Sequence, residues 1–211
     1  MTTASVMTYD SLVENIQSYL ERSDTATLEK IPLFIMLAEQ IIASQIKFLG
    51  NLTVNTSTMT ATQAIIDKPA RWHKTVSMNI VVAGSRQPVL LRKYEYLREY
   101  WPDATETGTP VYYGDYDYTH WLVAPTPDVD YTFEVLYYER IQPLDSSKQT
   151  NWFTTYAPQA LLYGSLLQAM PFLKNDERMP MWQQNYDLIM QTLMAEDKLR
   201  LADRQAVAVD A

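Results

Sequence analysis

Apolar positions recur with two different periods along this chain. From Trp152 to Arg200 the spacing is helical. Leu162, Leu166, Ala169 and Leu173 share one face, and Leu161, Tyr163 and Leu167 make the others apolar, predicting a helix buried nearly all round. Gly164 and Ser165 would let another backbone come close. Pro158 suits the first turn of this helix, where its missing N–H needs no partner. After a polar turn, Asn175 can cap a second helix with Asp176 and Glu177 in its first turn and Pro180 near its start. There Trp182, Tyr186, Ile189 and Leu193 form a stripe opposite a wetter side of Gln183, Gln184 and Asp187. Such a hairpin needs a further helix to cover it.

The N-terminal fifty residues supply one. Ser11 to Glu14 fits a capping box, so a helix starts there or slightly earlier, with Leu12, Ile16, Tyr19 and Leu20 on its apolar face. After Ser23 and Asp24, a second helix begins at Thr25 or at Ile31 and runs to Leu49. Ile31, Ile35, Ala38, Ile42, Ile46 and Leu49 share its face, Gly50-Asn51 stops it, and Pro32 either opens or bends it.

Between Leu52 and Leu144 the helical period gives way to β-branched and aromatic runs. Thr53 to Thr62, Thr75 to Val82, Val89 to Leu91, Val111 to Tyr113, Tyr118 to Val123 and Tyr131 to Tyr138 read as short strands. Gly84, Gly108, Pro110, Gly114, Pro125 and Pro127 bound them. Tyr94 to Trp101 reads as one or two helical turns stopped by Pro102. Short strands at this spacing suggest a small antiparallel sandwich or barrel. The expected fold class is therefore α+β: a helical bundle formed from both chain ends (8–50 and 151–203), an inserted antiparallel β domain (51–150) and a C-terminal tail (204–211).

Composition narrows the function. The chain has 211 residues, 47% of them hydrophobic, and a net charge of −8. An acidic chain is a poor holder of nucleic acid by its phosphates, which needs clustered Lys and Arg. It has no Cys, hence no thiolate nucleophile and no Cys-bound zinc. The longest apolar run, Ile31 to Ala38, is far below the roughly 18 residues of a membrane span, and the N-terminus lacks a signal-peptide pattern.

Candidate chemistry is sparse. Asp115-Tyr116-Asp117 and Asp128-Val129-Asp130 could offer carboxylates to a cation, but their context reads as solvated turns. His73 and His120 are the only histidines; they read as a loop and a strand residue. No nucleophile elbow or phosphate-binding glycine loop occurs. No catalytic, cofactor-binding or metal-ligating residue is therefore assigned. A small hydrolase using the Asp pairs and a carbohydrate- or receptor-binding module using exposed aromatics from Tyr112 to Tyr138 stand as alternatives. Alternate aromatics filling a core, with their neighbours meeting another subunit, explain the same residues. Glu39, Asp187, Glu196 and Asp197 are expected to face solvent or a lumen.

Several segments together resemble one family. Ile31 to Ile42 (IPLFIMLAEQII) resembles the "IPxFIxxAE" helix of tailed-phage head-to-tail adaptor proteins. Gly108 to Tyr113 resembles the family's "G-x-P-x-x-Y" entry to its later strands. Leu122 to Asp128, followed by Tyr131 to Tyr138, resembles its proline turn and the strand after it. Thr150 to Pro158, Leu161 to Leu166 and Phe172 to Arg178 resemble its closing helical hairpin. Order and spacing make the match, which covers most of Asp10 to Arg200.

The resemblance, of podovirus type, implies a non-enzymatic virion protein made in the host bacterial cytoplasm. It implies a homo-oligomeric ring of about twelve subunits joining the portal protein to the tail nozzle protein, with DNA passing through the lumen without specific binding. No membrane and no cofactor are implied. Leu199, Leu201, Val207 and Val209 become candidates for portal contact, in a terminal segment (199–211) expected to fray unless a partner covers it. Tyr112, Tyr113, Tyr137 and Tyr138 become candidates for subunit interfaces.

Overall fold

The computed structural model describes residues 6–46, 51–103, 105–173 and 177–205. The chain is mixed α+β with a large, mostly antiparallel sheet. It divides into two compact units, one from residues 1–50 with 141–211 and one from residues 51–140.

The first unit is helical. It contains α1 (Tyr9–Leu20), α2 (Thr25–Leu28), α3 (Ile31–Gln45), α5 (Trp152–Tyr156), α6 (Pro158–Leu173) and α7 (Met179–Gln205). The helix α6 packs against α1, α3, α5 and α7, which explains why apolar residues cover most of its faces. Ala160, Leu161, Leu162, Gly164, Ser165, Leu166, Ala169 and Met170 are all buried. Gly164 is where backbones approach: a Cβ there would lie 3.3 Å from Ala38 Cβ, 3.3 Å from a Tyr186 ring carbon and 3.6 Å from Ile42 Cδ1. The stripe Ile31, Ile35, Ala38, Ile42 and Ile46 is buried against it.

Several boundaries differ from the sequence reading. The cap of α1 is a Thr8–Ser11 box, one turn before Ser11–Glu14. Tyr9 N–H donates to Gln149 O at 2.8 Å and so fixes the earlier start. Tyr19 is not part of the buried face; it is 41% exposed. The second helix is two: α2 ends at Leu28, and α3 begins at Ile31 with Pro32 in its first turn. It ends at Gln45 rather than Leu49; Leu49 and Gly50 lie outside the described residues, as does the expected cap Asn175. The helix α7 continues to Gln205, so Leu199 and Leu201 stand in its last turns. Its last turns are built of good helix formers with Glu196 and Arg200 paired at i, i+4.

The second unit holds the strands β1 (Leu52–Met59), β2 (Ile65–Asp67), β3 (Trp72–Val82), β4 (Ser85–Leu91), β5 (Thr107–Gly108), β6 (Tyr112–Asp115), β7 (His120–Ala124), β8 (Thr126–Pro127) and β9 (Tyr131–Glu139), with α4 (Tyr94–Tyr100). Seven form one sheet in the order β1-β9-β3-β4-β6-β7-β2. All pairs are antiparallel except β4 with β6, which meet only at Leu90–Tyr112 and Leu91–Tyr113. Pro88 lies in the half of β4 that has no second neighbour, where a missing N–H is tolerated. Along β9, Tyr131, Phe133, Val135 and Tyr137 are buried while their alternates are less so, a period of two. All seven strands feed one core of Met59, Ile66, Met78, Ile80, Val89, Trp121, Phe133 and their neighbours. Trp72 on β3 meets Trp121 on β7 edge-on at 6.0 Å although two strands separate them in the sheet. The sheet therefore curls over its own apolar face. A smaller cluster of Leu97, Leu122 and Ala124 seats α4 on the outside. Gly114 is required there, because a Cβ would lie 2.7 Å from Arg92 O and 2.8 Å from Leu97 Cδ1.

Candidate interaction surfaces

Residues 141–150, read as a link in the β insert, belong to the helical unit, and a buried carboxylate explains how. Glu39 on α3 is 5% exposed, so it faces neither solvent nor a lumen, contrary to the reading of it as a surface acid. Its Oε2 accepts from Leu144 N–H at 3.2 Å and its Oε1 from Asn151 Nδ2 at 2.6 Å. Asn151 in turn caps α5, accepting from Phe153 and Thr154 N–H. One acid thus ties the returning chain to α3. Burial raises its pKa above the usual carboxylate value, and the two hydrogen bonds oppose that shift. Asp187 and Glu196 are exposed and Asp197 is half-exposed.

The other acids stitch loops. Asp115 takes a 2.6 Å bond from Lys68 Nζ, whose side chain is only 2% exposed and sits 4.1 Å over the Trp72 ring. Lys68 also donates to Asp117 O. Asp117 accepts from His120 Nδ1, and this bond above all holds its pKa down to about 2. Asp128 accepts from the Tyr131 hydroxyl, and Asp130 from Ala61 N–H. His73 lies on β3, not in a loop, because the strand extends back to Trp72. Among the described residues, no group of three or more His, Asp or Glu side chains could hold a metal ion. A cleft of about 310 Å³ beside α1 is lined by Glu14, Gln17, Ser18, Glu21, Arg22 and Ser23. No described helix is long and apolar enough to cross a membrane.

The interface candidates separate by strand alternation and packing. Tyr113 and Tyr137 are core residues, each 4% exposed, with hydroxyl pKa values raised mainly by burial. Tyr112 and Tyr138 keep part of their surface. Tyr112 joins a cluster that sequence reasoning missed. Tyr96 stacks on Tyr100 at 4.4 Å, and Trp101 and Tyr96 reach Tyr112 at 5.6 and 5.8 Å. The Arg92 guanidinium lies 5.1 Å from the Tyr112 ring. The signal was present in the helical spacing of Tyr96 and Tyr100, but the fold was needed to bring Tyr112 beside them. These rings are tilted by 30 to 78° and do not form the flat platform that would stack on a sugar.

Of the portal-contact candidates, Leu199 is 69% exposed on α7 and Leu201 lies on the same helix. Val207 and Val209 lie outside the described residues. A second set of exposed apolar side chains lies on α3, with Leu33 and Met36 opposite its buried stripe and Ile41 at its edge. Helices with apolar residues on a solvent face are built for partners.

No curated protein matches this chain. A family model described as SU10 adaptor protein matches residues 7–209. With the match spanning nearly the whole sequence, both units included, the chain belongs to the SU10 adaptor protein family.

Proposed function

We propose that this protein is a structural subunit of the phage head-to-tail junction, of podovirus type. It acts there as a ring of about twelve copies between the portal protein and the tail nozzle protein. Family membership over residues 7–209 carries the reading and supports a structural role in the virion. The residues are consistent with it: the titratable clusters close loops, and exposed apolar side chains lie on both the helices and the strands, among them Leu199 on α7 and Leu91 on β4. The helical unit, which we read as a bundle of both chain ends, faces the portal, and the β unit (51–140) faces the neighbouring copies and the tail. Of the four candidate tyrosines, Tyr112 and Tyr138 keep surface for such contacts, while Leu199, Leu201, Val207 and Val209 reach the portal. DNA passes through the lumen without being held, since a net charge of −8 repels its backbone.

Negative-stain imaging of the protein mixed with portal rings tests this. The expected result is an added ring with the portal's rotational symmetry. A protein that never decorates portal rings would remove the reading, and tight, salt-sensitive binding of duplex DNA by the ring would remove the lumen assignment. A sugar- or receptor-binding role would instead show as glycan binding abolished by Tyr100→Ala.

A further inference from the structure

The helical unit has two outward faces that carry no charge, and they lie on different helices. The only charged side chain of α3 is Glu39, and it is buried. The outer face of that helix is Leu33, Met36, Leu37, Gln40, Ala43 and Ser44, opposite the buried stripe. On α7, Trp182, Tyr186 and Met190 turn into the core. Opposite them lie Met181, Gln184, Leu188, Gln191, Thr192 and Ala195, all exposed, with Met181 at 54% and Leu188 at 64%. Asp187 stands to one side of this face, where its carboxylate accepts from Gln183.

The two faces match in length and chemistry. The helix α3 has 15 residues, and the run from Met181 to Ala195 has the same length, roughly 22 Å of helix in each case. The hydroxyls on both faces are already satisfied. Ser44 donates to Ile41 O at 2.7 Å and Thr192 to Leu188 O at 3.0 Å, each within its own helix. The polar groups left are the amides of Gln40, Gln184 and Gln191, which can donate and accept across a contact. Ala43 and Ser44 on one helix and Ala195 on the other permit a close approach.

Charge indicates the occupant. Copies that each carry a net charge of −8 repel one another, and the centre of a protein contact is depleted of charged residues. These two faces let copies meet without bringing carboxylates together. Because the faces differ, joining one to the other makes a head-to-tail contact, which repeats from copy to copy and can close into a ring. Either face set against itself would stop at a two-fold dimer.

We propose that the α3 face of one copy packs along the Met181–Ala195 face of α7 on the next copy, with Met36 and Leu188 inside the contact. This deepens the ring reading, rests on it for the closure of the contact, and adds a junction between helical units to the one assigned to the β units.

The test is sedimentation velocity of the full chain up to about 100 µM, since assembly follows mass action. Wild type should associate beyond a dimer. Met36→Glu and Leu188→Glu should each weaken association at least about tenfold by placing a charge in the contact, with melting curves unchanged because both side chains are exposed. Each variant keeps the face that the other has lost. Their equimolar mixture should therefore form one-to-one dimers that grow no further, a result that also shows both variants folded. A wild type that stays monomeric or stops at a dimer overturns the proposal. So does a variant that assembles like wild type, or a mixture that stays monomeric. Wild type that decorates portal rings while failing these tests leaves the adaptor reading standing without this contact. Wild type that passes them and never decorates portal rings keeps the contact and removes the adaptor reading.

Discussion

Replacing Glu39 with Ala should loosen the segment that re-enters the helical unit. The carboxylate accepts two hydrogen bonds in a site 5% exposed. A bond to a charged acceptor contributes about 1.5–3 kcal/mol. Asn151 Nδ2 keeps a second acceptor in Gln142 O at 3.2 Å, whereas the Leu144 N–H loses the acceptor it has. Part of the loss is offset, because the deleted carboxylate was itself desolvated. The net cost is about 2–3 kcal/mol. For a unit of about 120 residues (50 + 71), that lowers Tm by roughly 6–12 °C. Amide exchange at Leu144, Phe153 and Thr154 should accelerate by about 30-fold or more, the same free energy read as an opening constant. The pH dependence supplies a second readout. A folded pKa raised above 4.5 means the folded state binds the proton more tightly. The proton-linked part of Glu39's contribution is therefore whole below about pH 4.5 and is lost as pH rises through the folded pKa, while the hydrogen bonds to Leu144 and Asn151 remain. In Glu39→Gln that slope should vanish. Stability of Glu39→Ala within about 0.5 kcal/mol of wild type, with unchanged exchange at Leu144, would refute this account of how residues 141–151 are held.

Gly114→Ala should destabilise the β unit by about 2 kcal/mol or more by denaturant melting, because its Cβ meets a carbonyl at 2.7 Å that cannot swing away. Tyr186→Phe should be neutral or stabilising by up to about 1 kcal/mol, since the hydroxyl is buried without a protein partner among the described residues. Lys68→Met should cost about 1–3 kcal/mol through its two lost hydrogen bonds, with chemical-shift changes confined to 115–120 and the Trp72 ring. His120→Ala should raise the Asp117 pKa from about 2 toward 3.8 in a carboxyl NMR titration. In the wild type the Asp117 contribution is present above about pH 4 and lost as pH falls through about 2.

Periodicity alone determined the kind of element along most of the chain, because a buried face repeats every 3.6 residues in a helix and every two in a strand. The stripe Ile31, Ile35, Ala38, Ile42 and Ile46, the all-round apolarity of α6 and the alternation in β9 are each properties of neighbours in sequence. The same locality made the mixed α+β class and the resemblance to the adaptor family legible. Three further features rest on residues far apart in sequence. Glu39 looks like a surface acid until Leu144 and Asn151 arrive more than a hundred positions later to take its oxygens. Tyr112 and Tyr113 are equivalent as letters; only the curl of the sheet sends Tyr113 into the core and leaves Tyr112 beside Tyr96 and Trp101. The short β2 and the parallel contact of β4 with β6 have no local signature, since two or three residues carry no period and their pairing is settled by the strands already in place. For the candidate surfaces the division is the same. The helical spacing of α7 is legible in the sequence, but that Leu188 and Leu199 stay exposed is a fact of the folded unit, where α6 packs against α7.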